Sequence, residues 1–239
     1  MLRRGSRIAA WGLAAKIALI SLATSAPAAS ASGSPDAERP ARREPMAAVF
    51  PLSFDSEVIR LTIVGDSLEV NGTYFLSCQR PFAQPISLFY PFPADSLLTG
   101  ARMIEGRTRI EDGSWQPLQF EVIPSASGVR WWAPPCSGRM IEIQGRYRQG
   151  LKQKYARYIV TTTRVWQQPL RHARFEIRLP EGAKPVEFSF PFRAERDSSG
   201  IVGSSGVLGS SGVIDSSAVV YVWETDSFYP DRDITVHWR

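Results

Sequence analysis

The chain has 239 residues but only two cysteines and two histidines. That scarcity excludes a good deal. A zinc centre draws on closely spaced Cys and His ligands, whereas Cys78, Cys136, His172 and His237 are scattered, and neither histidine belongs to an HExxH helix motif. The glycine-rich signatures of phosphate and dinucleotide binding are missing too. So is the G-x-S-x-G elbow, since Gly203–Gly206 reads GSSG, the wrong order for it. No pattern in the sequence therefore specifies a cofactor, a metal or a catalytic centre.

An excess of one charge sign is also lacking once the chain is divided. The formal net charge is +5, but residues 1–31 hold Arg3, Arg4, Arg7 and Lys16 with no acid. Taking those four from the 28 Lys and Arg leaves 24 against 23 Asp and Glu, a net of +1. The rest of the chain has no basic footprint for nucleic acid and no polybasic membrane patch. Long apolar runs are equally scarce. The one near the N-terminus is interrupted by Lys16 and is cleanest over Ile17–Ala23, well short of the roughly 20 apolar residues a span needs.

What is there instead is an address. A basic start, a short apolar stretch and A-x-A sites at Ala26–Ala28 and Ala29–Ala31 make up the three parts of a secretory signal. The reading is a signal peptide over 1–31 and a secreted or periplasmic product with no membrane span in the mature chain; an uncleaved anchor is the alternative. Residues 32–47, SGSPDAERPARREPMA, are rich in Pro, Ala and mixed charge, with little to offset the ordering entropy. They read as a disordered linker, and the folded domain as residues 48–239.

That domain alternates with period two almost throughout. Ile59, Leu61 and Ile63 share a face, as do Leu68, Val70, Tyr74 and Leu76; Ala173, Phe175, Ile177 and Leu179; Val186, Phe188 and Phe190; and Ile234, Val236 and Trp238. Turn residues separate the runs at GDS, EDGS, SASG and PEG. Alternation of this kind marks half-buried antiparallel strands. The fold class predicted is all-β, an antiparallel β-sandwich, either one sandwich or two β lobes. Proline in FYPFPADS ends a strand because it cannot donate to a ladder. Of the adjacent Trp131 and Trp132, one ring must point inward and the other outward. An exposed aromatic beside a groove would suit a sugar or a peptide.

Residues 198–217 are a low-complexity segment, SSGIVG, SSGVLG and SSGVID in succession, with Val202, Leu208, Ile214 and Val220 six apart. The spacing matches a left-handed β-helix, but the segment is about one turn long, and such coils need several turns to bury one another. It reads as an expanded loop ahead of the VVYVW strand.

Two residue sets remain as candidates. Cys78 and Cys136, an even count in an exported chain, suggest a disulfide, which would stabilise by about 4 kcal/mol on the chain-entropy estimate; two separate thiols are the alternative. The acids Glu224, Asp226, Asp231 and Asp233 gather near the C-terminus, where they form either a carboxylate site or the charged rim of a turn around Arg232. Asn71-Gly72-Thr73 matches a glycosylation sequon placed mid-strand, and His172 and His237 read as surface residues.

The stretches IRLTIVGDSLEVNGTYFL and ISLFYPFPADSLLTGARMIEG, within residues 57–147, resemble the VIT domain, the inter-alpha-trypsin-inhibitor-type β-sandwich. The resemblance rests on Val70, Gly72 and Tyr74, then Tyr90, Phe92, Pro93 and Asp95, with IQGRYRQGL and its Tyr147 similar to the closing strand. It implies an extracytoplasmic, non-catalytic sandwich. The D-x-S-x-S metal motif that often follows such domains is not matched, since Asp215-Ser216-Ser217 continues Ala218-Val219, so metal-dependent adhesion is not implied. The second half of the chain is similar to uncharacterised exported bacterial proteins. The leading expectation is an exported, non-catalytic β-sandwich that binds or scaffolds a protein, an envelope component or a glycan. The alternative is an exported hydrolase with a site built from acids such as Glu224, Asp231 and Asp233.

Overall fold

A computed structural model of the chain describes residues 50–196 and 219–239, all within one unit, residues 47–239. The expected signal, linker and repeat fall outside the described residues. The strands in chain order are β1 (Leu52–Val64), β2 (Ser67–Cys78), β3 (Ile86–Pro91), β4 (Leu98–Ile110), β5 (Gln116–Pro117), β6 (Phe120–Ile123) and β7 (Gly128–Ala133). They continue as β8 (Met140–Leu151), β9 (Tyr155–Tyr158), β10 (Leu170–Arg178), β11 (Pro185–Phe188), β12 (Arg193–Arg196), β13 (Val219–Phe228) and β14 (Ile234–Trp238). Helix among the described residues is confined to two 3-10 turns, Pro124–Ala126 and Thr161–Trp166.

The fold is all-β, as the period-two pattern requires. One eight-stranded sheet has the order β12-β13-β10-β1-β2-β8-β4-β5, and two three-stranded sheets have the orders β11-β14-β9 and β3-β7-β6. β1 and β2 form a hairpin in which Val64 pairs with Ser67 across Gly65-Asp66. Gly65 takes φ +56°, the left-handed backbone that a two-residue hairpin turn demands.

One sandwich results, not two lobes. The join is β1, which pairs antiparallel with β2 along one edge and parallel with β10 along the other, Ile59 opposite Gly72 and Phe175 at once. The antiparallel expectation thus holds except at this pair, which is parallel. β1 carries apolar residues on its inward face for most of its length, as a strand in the middle of a sheet must. The register agrees with the sequence at Ile59, Leu61 and Ile63, at Leu68, Val70, Tyr74 and Leu76, and at Ala173, Phe175 and Ile177, all buried. It departs at Val186, which is exposed: the β11–β14 pairing slips between Pro185 and Glu187, so the alternation shifts by a residue there.

Both small sheets lie on the same face of the large one. Trp131 of β7 and Tyr90 of β3 meet Tyr74 of β2, while Tyr158 of β9 reaches the same Tyr74. Further along, Phe188 of β11 packs on Tyr221 of β13, and Phe190 stacks on Trp223 at 4.2 Å. The opposite face of the large sheet carries the polar alternates.

A row of glycines shapes the inner face. Gly72 of β2, Gly145 of β8 and Gly106 of β4 stand opposite one another in register. Glycine inside a strand lowers its stability and marks close approach by another group, and each of these three has one. A Cβ at Gly72 would lie 2.0 Å from the Tyr74 hydroxyl, one at Gly145 3.1 Å from the Trp131 ring, and one at Gly106 3.1 Å from Leu118. The row is a trough of bare backbone covered by Tyr74 of the same strand, by Leu118 and, from the second layer, by Trp131.

Candidate functional site

Three places concentrate chemistry: the junction of the three sheets, a groove at one end of the sandwich, and the polar face of the large sheet.

At the junction, one tyrosine arrives from each sheet. The Tyr74 hydroxyl lies 2.9 Å from that of Tyr90 and 3.1 Å from that of Tyr158, and Tyr90 lies 3.4 Å from Tyr158. Tyr90 stacks on Trp131 at 4.5 Å and meets Tyr147 edge-on at 6.0 Å. Burial pushes the phenols of Tyr74, Tyr90, Tyr147 and Tyr158 well above their ordinary range, so all four stay neutral donors and acceptors. Glu57 of β1 sits opposite Tyr74 in the ladder with 2 % of its surface exposed, and its Oε1 makes no hydrogen bond. Desolvation raises its carboxyl to about 8, which keeps the side chain protonated at neutral pH. A proton-holding carboxyl beside neutral phenols is chemically distinctive, but it is sealed among packed aromatics. It belongs to the interior.

The groove is formed where β2 and β4 end and β8 begins. Pro81, Phe82 and Ala83 line one wall, Pro135, Cys136 and Ser137 another, with Ile110 and Arg139 completing a volume of about 530 Å³. The walls are held by backbone hydrogen bonds, Phe82 N–H to the Cys136 carbonyl at 2.8 Å and Cys136 N–H to the Phe82 carbonyl at 3.1 Å. Proline at 81 and 135 fixes φ in both walls and removes two donors, so that side of the groove is apolar and stiff. Arg139 supplies the charge and faces Glu111 at 3.8 Å. Cys78, the last residue of β2, is half-buried, and Cys136 is buried; both are free thiols in this structure. Burial, and next the hydrogen bond with the Cys78 side chain, push the Cys136 thiol up.

The outer face of the large sheet bears a ladder of ions across β1, β10 and β13. Arg60 Nε donates to Glu176 at 2.9 Å, Arg174 donates to Glu176 at 2.9 Å and to Glu224 at 2.7 Å. His172 places Nε2 3.2 Å from Glu224 and Nδ1 3.0 Å from Asp226. The Arg174 guanidinium is held in its charged form chiefly by the hydrogen bond it donates to Glu176, against the cost of partial burial. On the other half of the sheet Glu69 takes Arg148 at 3.1 Å, and Arg109 takes Glu142 at 2.6 Å.

The four C-terminal acids therefore separate into three situations. Glu224 and Asp226 converge on His172, on an open sheet face. Asp231 is 74 % exposed and, among the described residues, pairs with the neighbouring Arg232 at 3.4 Å. Asp233 is a structural anchor: one oxygen takes Arg157 Nη2 at 2.6 Å and Nε at 2.9 Å, while the other takes the backbone N–H of Val160 and Thr161 and the Thr161 hydroxyl. No group of three or more His, Cys, Asp and Glu able to hold a metal is found among the described residues. Trp131 is the inward ring of its pair and Trp132 the half-buried one; His237 is exposed and packs on Tyr155 at 4.7 Å. Sequence reasoning passed over Glu57, although its place two before Ile59 put it on the inward face, and it passed over the glycine row. The convergence of Tyr74, Tyr90 and Tyr158 left no local signal.

No protein-family model matches the chain, and comparison with curated proteins gives no match. Among solved structures, the M1 zinc metallopeptidase from Deinococcus radiodurans aligns at 12 % identity and TM-score 0.42, covering 78 % of this chain and 42 % of that one. A point mutant of the same metallopeptidase aligns at 14 % identity and TM-score 0.43 with the same coverage. The chain spans less than half the length of these structures. No helix among the described residues is long and apolar enough to cross a membrane.

Proposed function

We propose that this chain is an exported, non-catalytic β-sandwich module that works by binding, and that the end groove is where it binds. The observation that carries the reading is the groove itself: stiff apolar walls from Pro81, Phe82 and Pro135 with a single cation, Arg139, at the rim. That combination suits an extended segment of a protein or a glycan of the cell envelope, packed through apolar contacts and oriented by one charged group. The secretory pattern of residues 1–31 supports the compartment, and the resemblance of residues 57–147 to the VIT sandwich supports a non-catalytic role. Aromatic residues of that resemblance pack in the sandwich, Tyr74 and Tyr90 at the junction and Phe92 on Tyr147 at 4.8 Å.

The test is to express the full chain from its own N-terminus in a bacterial host, fractionate the cells, sequence the N-terminus of the product and photocrosslink from position 82. Export with cleavage near residue 31, and a crosslinked envelope partner lost in Phe82→Asp, are expected. A chain that stays in the cytoplasm with its N-terminus intact overturns the compartment. Turnover of a substrate by the purified protein, abolished by Glu224→Gln or Asp226→Asn, overturns the non-catalytic reading in favour of a carboxylate hydrolase at His172.

A further inference from the structure

The contact between Cys78 and Cys136 has a direction built into it. Backbone hydrogen bonds hold the two segments together without help from sulfur: Phe82 and Cys136 are paired, and Cys78 N–H donates to the Arg139 carbonyl at 3.2 Å. Each thiol also points at a nearby carbonyl, Cys78 Sγ at Arg80 O, 3.3 Å away, and Cys136 Sγ at Arg139 O, 3.2 Å away. The Arg139 carbonyl accepts from both the Cys78 backbone N–H and the Cys136 thiol, each at 3.2 Å, so the two cysteines gather around one backbone oxygen. The two differ in access. Cys78 is half-buried and reachable from solvent, and Cys136 is buried in the groove wall.

We propose that Cys78 and Cys136 are a thiol–disulfide couple that locks the end groove, with Cys78 as the attacking thiol and Cys136 as the resolving one. The oxidant is a small-molecule or protein disulfide. Cys78 loses its proton, its thiolate attacks one sulfur of that disulfide, the oxidant's S–S bond breaks and its other sulfur leaves as a thiol. Cys136 then loses its proton and attacks Cys78 Sγ, and the oxidant's remaining sulfur leaves as a second thiol. Two protein thiols are oxidised to one disulfide, and one disulfide of the oxidant is reduced to two thiols. The new bond ties the end of β2, which leads directly into Pro81, Phe82 and Ala83, to the wall that carries Pro135 and Ser137. It closes the groove's width to adjustment, whichever ligand the groove takes and whichever compartment holds the chain.

Purified full-length chain, fully reduced and then exposed to oxidised glutathione, tests this by alkylation and mass spectrometry. The wild type is expected to lose both thiols, carry no glutathione at the end point and yield a peptide pair linking Cys78 to Cys136. Cys136→Ser is expected to accumulate one glutathione on Cys78, and Cys78→Ser to react on the order of tenfold more slowly, because its remaining thiol is buried and poorly ionised. Amide hydrogen exchange over residues 79–85 and 133–139 is expected to slow in the oxidised wild type. Persisting thiols, stable glutathione adducts or covalent dimers of the wild type overturn the couple, with no variant needed. Equal reaction rates at the two cysteines overturn the assignment of roles, and unchanged exchange overturns the lock.

Discussion

Tyr90 and Tyr158 belong to different small sheets, yet their hydroxyls stand 3.4 Å apart and both bond to Tyr74 of the large sheet. The three sheets share no ladder, so this triangle is a polar tie across the core where all three meet. Buried phenols of this kind lose more by being left unpaired than they gain by pairing.

Tyr74 is the hub of the triangle, and Tyr74→Phe is expected to destabilise by about 1–3 kcal/mol, because it strands partners on both small sheets. Tyr158→Phe should cost less, since Tyr74 and Tyr90 keep each other at 2.9 Å. Urea unfolding of both variants and the double variant checks this. Groups in one network are expected to give non-additive losses.

Glu57 makes stability fall as pH rises. Its folded carboxyl titrates at about 8 against an ordinary 4.5. Between those values the folded chain therefore holds a proton the unfolded chain has released, and linkage makes unfolding easier with each step up in pH. The contribution is fully present below about pH 4.5 and is lost progressively through pH 8, several kcal/mol in all. Glu57→Gln, which stays neutral, is expected to flatten that slope and to be more stable than wild type above pH 8. Thermal melts of both proteins at acid, neutral and alkaline pH measure it; parallel slopes would contradict it.

The glycine trough is expected to tolerate no side chain beneath Tyr74 or Trp131. A Cβ at Gly72 would overlap the Tyr74 hydroxyl at 2.0 Å, and one at Gly145 would press both Trp131 and Met103 at 3.1 Å. Gly145→Ala should cost about 1–3 kcal/mol through displacement of the Trp131 ring, with a change in tryptophan fluorescence. Gly72→Ala should cost at least as much. Gly100→Ala, where nothing lies within 4 Å, is the control and should leave stability near wild type.

Asp233 and Asp231 are two residues apart and should behave differently. Asp233→Ala uncovers two backbone N–H groups and the Arg157 guanidinium and is expected to cost about 3 kcal/mol. Asp231→Ala, on an exposed side chain, should fall within about 0.5 kcal/mol of wild type. Chemical denaturation of the two variants separates a structural carboxylate from a surface one.

Most of the strand pattern was legible because burial in a sheet alternates with the chain itself: Ile59, Phe175 and Val236 announce their face through their neighbours. Trp131 could be known to point opposite to Trp132 for the same reason. Val186 was misleading because a slip in pairing is a property of two strands, and neither sequence shows it alone. Glu57 was legible by parity but concealed by its type, since a carboxyl two residues before a core isoleucine reads as the polar end of a strand. The four acids near the C-terminus looked like one set because they are close in sequence. The structure separates them, since Glu224 and Asp226 lie on β13 across from His172 while Asp233 anchors the start of β14 to Arg157.

By itself, then, the amino-acid sequence determined the all-β class, the faces of the long strands and the positions of the turns, since these follow from steric and burial preferences that act within a few residues. Only the tertiary structure decided that both halves share one sheet through β1 and β10, that two small sheets cover the same face, and that Cys78 and Cys136 gather at the Arg139 carbonyl beside a groove. Each of those joins residues dozens of positions apart, and the free energy that selects them comes from packing surfaces that exist only once the layers have met.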